Sequence, residues 1–295
     1  MAKLVDGPMV ERKAVRRWCT SFALTVALLT GAAASADTPP GATPPPAGYL
    51  SDGVDKLGFT LDAPPAKNPD IERNQVLMAQ LSADRYAKDE AYADADAYLA
   101  DALIQRFSTA AGETLNRTRR PILAHMMFRI WRNLDKYSSD LKKLYPRDRP
   151  FVRDTTIQPC NVSFLQPSNG SSYPSGHAAD GYAAALLLVD VMRGGGGATE
   201  RDRTDLLLAR GIRFGTNRMI CGVHFPSDVA AGEAFAKALY AKISTTTSEF
   251  QADLACARVE EAADRNGDLT PDKRKSYPAE CKAMADAYAT EDHFS

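Results

Sequence analysis

Lys142 with Arg149-Pro150, the run Pro174-Ser175-Gly176-His177, and Arg218 followed by His224 and Asp228 are the residues whose types and spacing could do chemistry. Together they supply three cations, two imidazoles, one carboxylate and a Ser-Gly turn. Cations hold an oxyanion and imidazoles attack or move protons near neutral pH. A carboxylate can fix which imidazole nitrogen carries the proton. That inventory suits phosphoryl transfer run by side chains, without a metal.

Each stretch also has a plainer explanation. Ser175 occupies the N-cap position of a helical pattern that continues through Ala178, Ala179, Tyr182, Ala183, Leu186 and Leu187. Gly176 lets backbone approach a ligand closely, and the free N–H groups and dipole of a helix start favour an anion. His177 faces whatever sits there; the plainer explanation is a capped helix with an incidental histidine. In the third stretch Pro226 suits a first helical position, and His224 and Asp228 are four apart, able to meet across a turn. Alone, Asp228 would be first-turn dipole compensation and His224 a satisfied core histidine. Around Lys142 and Arg149 the competing explanation is a solvated charge run, because Lys143, Arg147, Asp148 and Arg153 crowd the same segment. Pro146 and Pro150 put Arg149 on a loop or short turn, where its planar fork suits phosphate oxygens.

In this order the three stretches resemble the three-part signature of the phosphatidic acid phosphatase type 2 superfamily, which includes bacterial class A non-specific acid phosphatases and vanadium haloperoxidases. Tyr145-Pro-Arg-Asp-Arg-Pro-Phe151, Gly170-Ser-Ser-Tyr-Pro-Ser-Gly-His177 and Ile220-Cys-Gly-Val-His224 look most like the class A acid phosphatases, as does the helical Asp89–Phe107 segment. The likeness runs from about Tyr49 to Phe250. It implies that His224 attacks phosphorus, Asp228 orients it and His177 protonates the leaving oxygen. Lys142, Arg149, Arg218, Ser175 and the Gly176 N–H would hold the phosphoryl oxygens. The family commonly has Ser before the third-motif arginine; here Asn217 stands there, with an amide that can donate to phosphate. The implied enzyme needs no cofactor or metal, acts on small phosphomonoesters and is most active at mildly acid pH. A haloperoxidase holding vanadate on the same cations, and a non-catalytic phosphate-binding protein, are the rival readings.

The elements that must position these residues read as helices. Apolar residues recur at helical spacing over 74–107, 120–134, 138–144, 178–192, 202–216, 229–243, 248–262 and 278–288, and strand signals are scarce. The expected fold is all-α, a single globular helical domain of the phosphatidic acid phosphatase type 2 / haloperoxidase type.

Four segments are expected: a signal peptide over 1–36, a Pro-rich extended leader over 37–60, the helical phosphatase domain over 61–250, and a C-terminal helical extension over 251–295. Arg12, Lys13, Arg16 and Arg17 precede an apolar run from Trp18, and Ala34-Ser35-Ala36 fits a cleavage site. Export to the periplasm or the medium follows, with no membrane span after cleavage. Cleavage removes Cys19 and leaves Cys160, Cys221, Cys256 and Cys281; Cys256 with Cys281 is the preferred pair, and Cys160 with Cys221 is left open as a pair or as buried thiols. A net charge of −1 argues against nucleic acid as a partner. A homo-oligomer is compatible with the sequence. Gly194–Gly197 reads as a loop without a phosphate-cradling lysine, and Asn116, Asn161 and Asn169 head short sequons. Asp264-Arg-Asn266-Gly-Asp268 starts like a calcium loop but has Leu269 where glycine is required and Lys275 where glutamate is. His125 and His293 have no partner pattern.

Overall fold

The computed structural model describes residues 45–65, 69–95, 100–160, 170–193, 198–265 and 271–291. The expected signal peptide, the leader up to residue 44, Gly194–Gly197, the calcium-like stretch beyond Arg265, Asn161, Asn169 and His293 lie outside them. All described residues belong to one compact unit, 43–295. Among them there are no strands, and the helices run α1 Pro69–Ser82, α2 Arg85–Ala95, α3 Ala100–Gln105, α4 Ser108–Ala111, α5 Pro121–Leu144, α6 Pro150–Arg153, α7 Gly176–Met192, α8 Ala198–Ile220, α9 Pro226–Thr246, α10 Ser248–Arg265 and α11 Ala279–Ala289.

The most apolar helix, α7, lies at the centre and packs on α8, α9, α5 and α10. Small residues let its neighbours approach closely. A Cβ at Gly232 of α9 would lie 2.3 Å from the Ser175 carbonyl oxygen, and one at Gly211 of α8 would lie 2.8 Å from the Ala185 methyl. The start of α7, where Ser175 and Gly176 sit, is therefore pressed against the start of α9, which carries Asp228. The Ser175 N–H also donates to the Asp228 carbonyl at 2.9 Å.

Where the sequence pattern reads two helices, over 120–134 and 138–144, the chain forms one, α5. Its buried stripe runs on through Leu134, Tyr137, Ser138 and Leu141, so the polar Asp135-Lys136 step is a solvent face and not a break. Conversely, the apolar periodicity over 74–107 is divided. Asp84 ends the first piece and caps the next, its carboxylate accepting the Ala87 N–H at 2.8 Å. The described residues of the Pro-rich segment lie along α5. Arg129 donates to the Ala47 carbonyl at 3.0 Å, Asn133 brackets Leu50, and the Tyr137 hydroxyl donates to the Asp52 carbonyl at 2.8 Å. Phe250, Leu254, Cys256 and Ala257 of α10 and Cys281 and Ala285 of α11 share the same hydrophobic core. Two disulfides form, Cys160–Cys221 and Cys256–Cys281. No helix among the described residues is long and apolar enough to cross a membrane.

Candidate active site

His224 and Asp228 straddle the start of α9, set by Pro226 at the first helical position. Arg218 lies in the last turn of α8, and the turn from there to α9 is fixed by several contacts. The Val223 N–H donates to the Arg218 carbonyl at 3.1 Å. Gly222 adopts φ +67°, and any Cβ there would also run into Ile157 and the Gln80 amide. That amide reaches in from α1 to donate to the Ile220 carbonyl at 2.9 Å. The Cys160–Cys221 disulfide then ties the turn to the chain that follows α6.

The other candidates come to the same place. Arg149 is the residue before α6; its guanidinium donates to the Val223 carbonyl at 3.0 Å and lies 3.2 Å from His224 Nε2. An arginine has only donors, so this contact is favourable when Nε2 is unprotonated and the imidazole proton sits on Nδ1. Nδ1 lies 3.6 Å from Asp228 Oδ2, close for an ion pair but outside hydrogen-bond length. Lys142, in the last turn of α5, donates to the Ser171 and Pro174 carbonyls at 2.9 and 2.6 Å, leaving one of its three N–H groups for a ligand. Ser175 caps α7, accepting the Ala178 N–H. Gly176 and His177 follow as its first residues, with open space beside Gly176 where a Cβ would point. His177, Arg218, His224, Ser175 and Asp228 are all buried.

The electrostatics follow from this crowding. Burial, then Arg149, Lys142 and Arg218, hold the His224 imidazole well below its usual pKa, so it is neutral at working pH. Burial and the neighbouring Arg149 push Lys142 down to about 7. Burial and Asp135 raise Asp180, three residues past His177 on α7, to about 8. Burial raises Asp228, against the pull of Arg147 and the Phe225 N–H. The site is a cluster of cations around a neutral imidazole, fit for an oxyanion. Among the described residues no group of three or more His, Cys, Asp or Glu converges as metal ligands.

Two features depart from the sequence reading. The Asn217 amide donates to the buried Asp94 carboxylate at 2.8 Å, which the Arg210 fork also clamps at 3.0 and 2.6 Å. Arg147, grouped above with a solvated charge run, is buried. It donates to Asp228 Oδ1, to the Ser227 hydroxyl at 2.7 Å and to Glu72 of α1 at 2.6 Å. The only sequence sign of it was its place in the Tyr145–Phe151 block.

Among the described residues the chain is an all-helical array whose candidate cations and histidines lie at the ends of α5 and α8 and the starts of α6, α7 and α9. Comparison places it in a family. Residues 134–249, a span that contains every candidate site residue, match the PAP2 superfamily. The chain is 34% identical over 181 residues to an acid phosphatase of Zymomonas mobilis, covering 61% of this chain and 64% of that one. It is 35% identical over 167 residues to a non-specific acid phosphatase of Salmonella typhimurium, covering 56% and 62%. With a non-specific acid phosphatase of Providencia stuartii it is 30% identical over 232 residues, covering 75% and 89%. The chain spans just under two thirds of the length of the first two relatives, 64% and 62%. It belongs to the PAP2 superfamily, and these relatives are acid phosphatases.

Proposed function

We propose that the protein is an exported acid phosphatase that hydrolyses small phosphomonoesters through a phosphohistidine on His224. The observation that carries this reading is the placement of the buried His224 imidazole, with Nδ1 facing Asp228 and Nε2 beside the Arg149 guanidinium. A phosphate drawn in by Lys142, Arg149 and Arg218 would bring its phosphorus to that nitrogen. Nε2 attacks phosphorus, the P–O ester bond breaks, and His177 gives its proton to the departing alkoxide. Water then attacks the phosphohistidine while His177 takes a proton from it, releasing phosphate and restoring both imidazoles. The cations and the α7 N-terminus balance the charge on the equatorial oxygens, so positioning and preorganised charge do most of the work.

Export is supported by the basic-then-apolar N-terminal pattern and by two cysteine pairs that suit an oxidising compartment, periplasmic or external. Turnover of a chromogenic aryl phosphate in EDTA at mildly acid pH tests the whole reading. Wild type is expected to release phosphate, and His224→Ala to lose at least about 1,000-fold in kcat. An active mutant would mean another nucleophile; an inactive wild type would leave a phosphate-binding protein.

A further inference from the structure

Arg147 is the most heavily engaged side chain near the site that the mechanism above does not use. It sits between α5 and α6, buried, with its guanidinium 4.3 Å above the Phe225 ring. One nitrogen donates to Asp228 Oδ1 and to the Ser227 hydroxyl, and the other pairs with Glu72 Oε2. Glu72 closes the circuit, its Oε1 accepting the Ser227 N–H at 2.9 Å at the first turn of α9. The second Asp228 oxygen accepts the Phe225 N–H at 2.8 Å and faces His224 Nδ1. Both carboxylate oxygens are thus held, and Oδ2 faces the imidazole.

We propose that Arg147, anchored by Glu72 of α1, is a positioning residue that holds the Asp228 carboxylate ionised and aimed at His224 during the phosphoryl transfer. The proposal rests on the phosphohistidine reading. When Nε2 bonds to phosphorus the imidazole becomes cationic, and a charged Asp228 stabilises it on the Nδ1 side. Burial favours the neutral acid, and the groups that oppose this are few. Arg147 provides the full charge, and the Phe225 N–H and Ser172 hydroxyl provide dipoles. The other titratable groups near Asp228 include Lys142 on α5, whose amine is held by the Ser171 and Pro174 carbonyls, the Tyr173 phenol, which burial and Asp228 keep neutral, and Glu72, whose negative charge is engaged by Arg147. Removing the guanidinium would therefore let Asp228 take up a proton at a higher pH. Glu72 lies outside the 134–249 family match, so α1 contributes to the site from beyond that segment.

The test uses full-length Arg147→Gln, Arg147→Lys and Glu72→Ala with the aryl phosphate. For Arg147→Gln, kcat is expected to fall about 10- to 100-fold, by analogy with the loss seen when the outer partners of metal-bound histidines are removed. KM and inhibition by inorganic phosphate should stay within about twofold, since the Arg147 nitrogens are taken up by Asp228, Ser227 and Glu72. The acid limb of kcat should move to higher pH, Arg147→Lys should recover part of the loss, and Glu72→Ala should lower kcat several-fold. A loss equal at every pH, or one that appears in KM, overturns the proposal. If Arg147→Gln does not fold, the lysine and Glu72 variants give the same reading. Nitrogen NMR of the His224 ring separates the proposal from the enzyme reading. The Nδ1–H tautomer should dominate in wild type and lose population in Arg147→Gln, and unchanged tautomers overturn the positioning role. An inactive wild type with these tautomer changes overturns only the phosphatase reading.

Discussion

Among the three cations Lys142 carries the pH-sensitive charge, because burial and the adjacent Arg149 bring its pKa to about 7 while Arg149 and Arg218 stay charged throughout. In the free protein it is a cation below that value and neutral above. The second-order rate constant kcat/KM reports the free enzyme, so it should fall as pH rises through about 7. Once a phosphate dianion is bound, its charge holds the lysine proton, and the basic limb of kcat should lie higher. Rate profiles between about pH 5 and 9, below and at saturation, measure the two limbs. Coincident limbs would mean that the lysine does not set the fall. At this scale the sequence was most readable where residue type and spacing coincide, as for His224 and Asp228. Arg147 was unreadable for a physical reason. Nothing in a run of Arg and Asp marks which charge is buried, and its partner Glu72 is 75 residues away.

Among the elements, the turn from α8 to α9 has the most demanding job, since it must hold Arg218 and His224 at one point while the chain reverses. The Cys160–Cys221 disulfide brackets that turn, closing a separation of 61 residues, whereas Cys256–Cys281 closes 25 and joins α10 to α11, which supply no candidate site residue. Replacing either pair with alanine should cost about 2–5 kcal/mol of stability. Only the Cys160/Cys221 variant should also lose kcat/KM, because its loss frees the backbone carrying Arg218 and His224. Denaturation midpoints and turnover by the folded fraction check both halves; equal activity in the two variants would detach the first disulfide from the site. Helix positions were legible where an apolar stripe ran unbroken, as in α7, α9 and α10. The joins were less so. Asp84 divides the 74–107 pattern without a proline or glycine, and the polar step inside α5 is bridged because Tyr137 and Ser138 continue its buried stripe.

Across the whole molecule, the same cations that would bind substrate oppose folding when no anion is present. Lys142 has a folded pKa near 7 against an ordinary value of 10.5, so between these the unfolded chain binds the extra proton. The phosphate-free protein should accordingly gain stability as pH rises through that window, and carry the full penalty below about 7. Inorganic phosphate supplies the missing counter-charge. At about 100 times its dissociation constant it should stabilise the fold by about 2.7 kcal/mol. At a fixed phosphate concentration the rise in Tm should be several degrees at mildly acid pH, and smaller above pH ~8, where the lysine is neutral in the free state and phosphate binds more weakly. Lys142→Met should melt higher than wild type in phosphate-free acid buffer and gain less from phosphate. Calorimetric melts of both proteins, with and without phosphate at two pH values, test this. A phosphate gain independent of pH and of Lys142 would place the anion away from the α5 end of the site, on Arg149 and Arg218 alone.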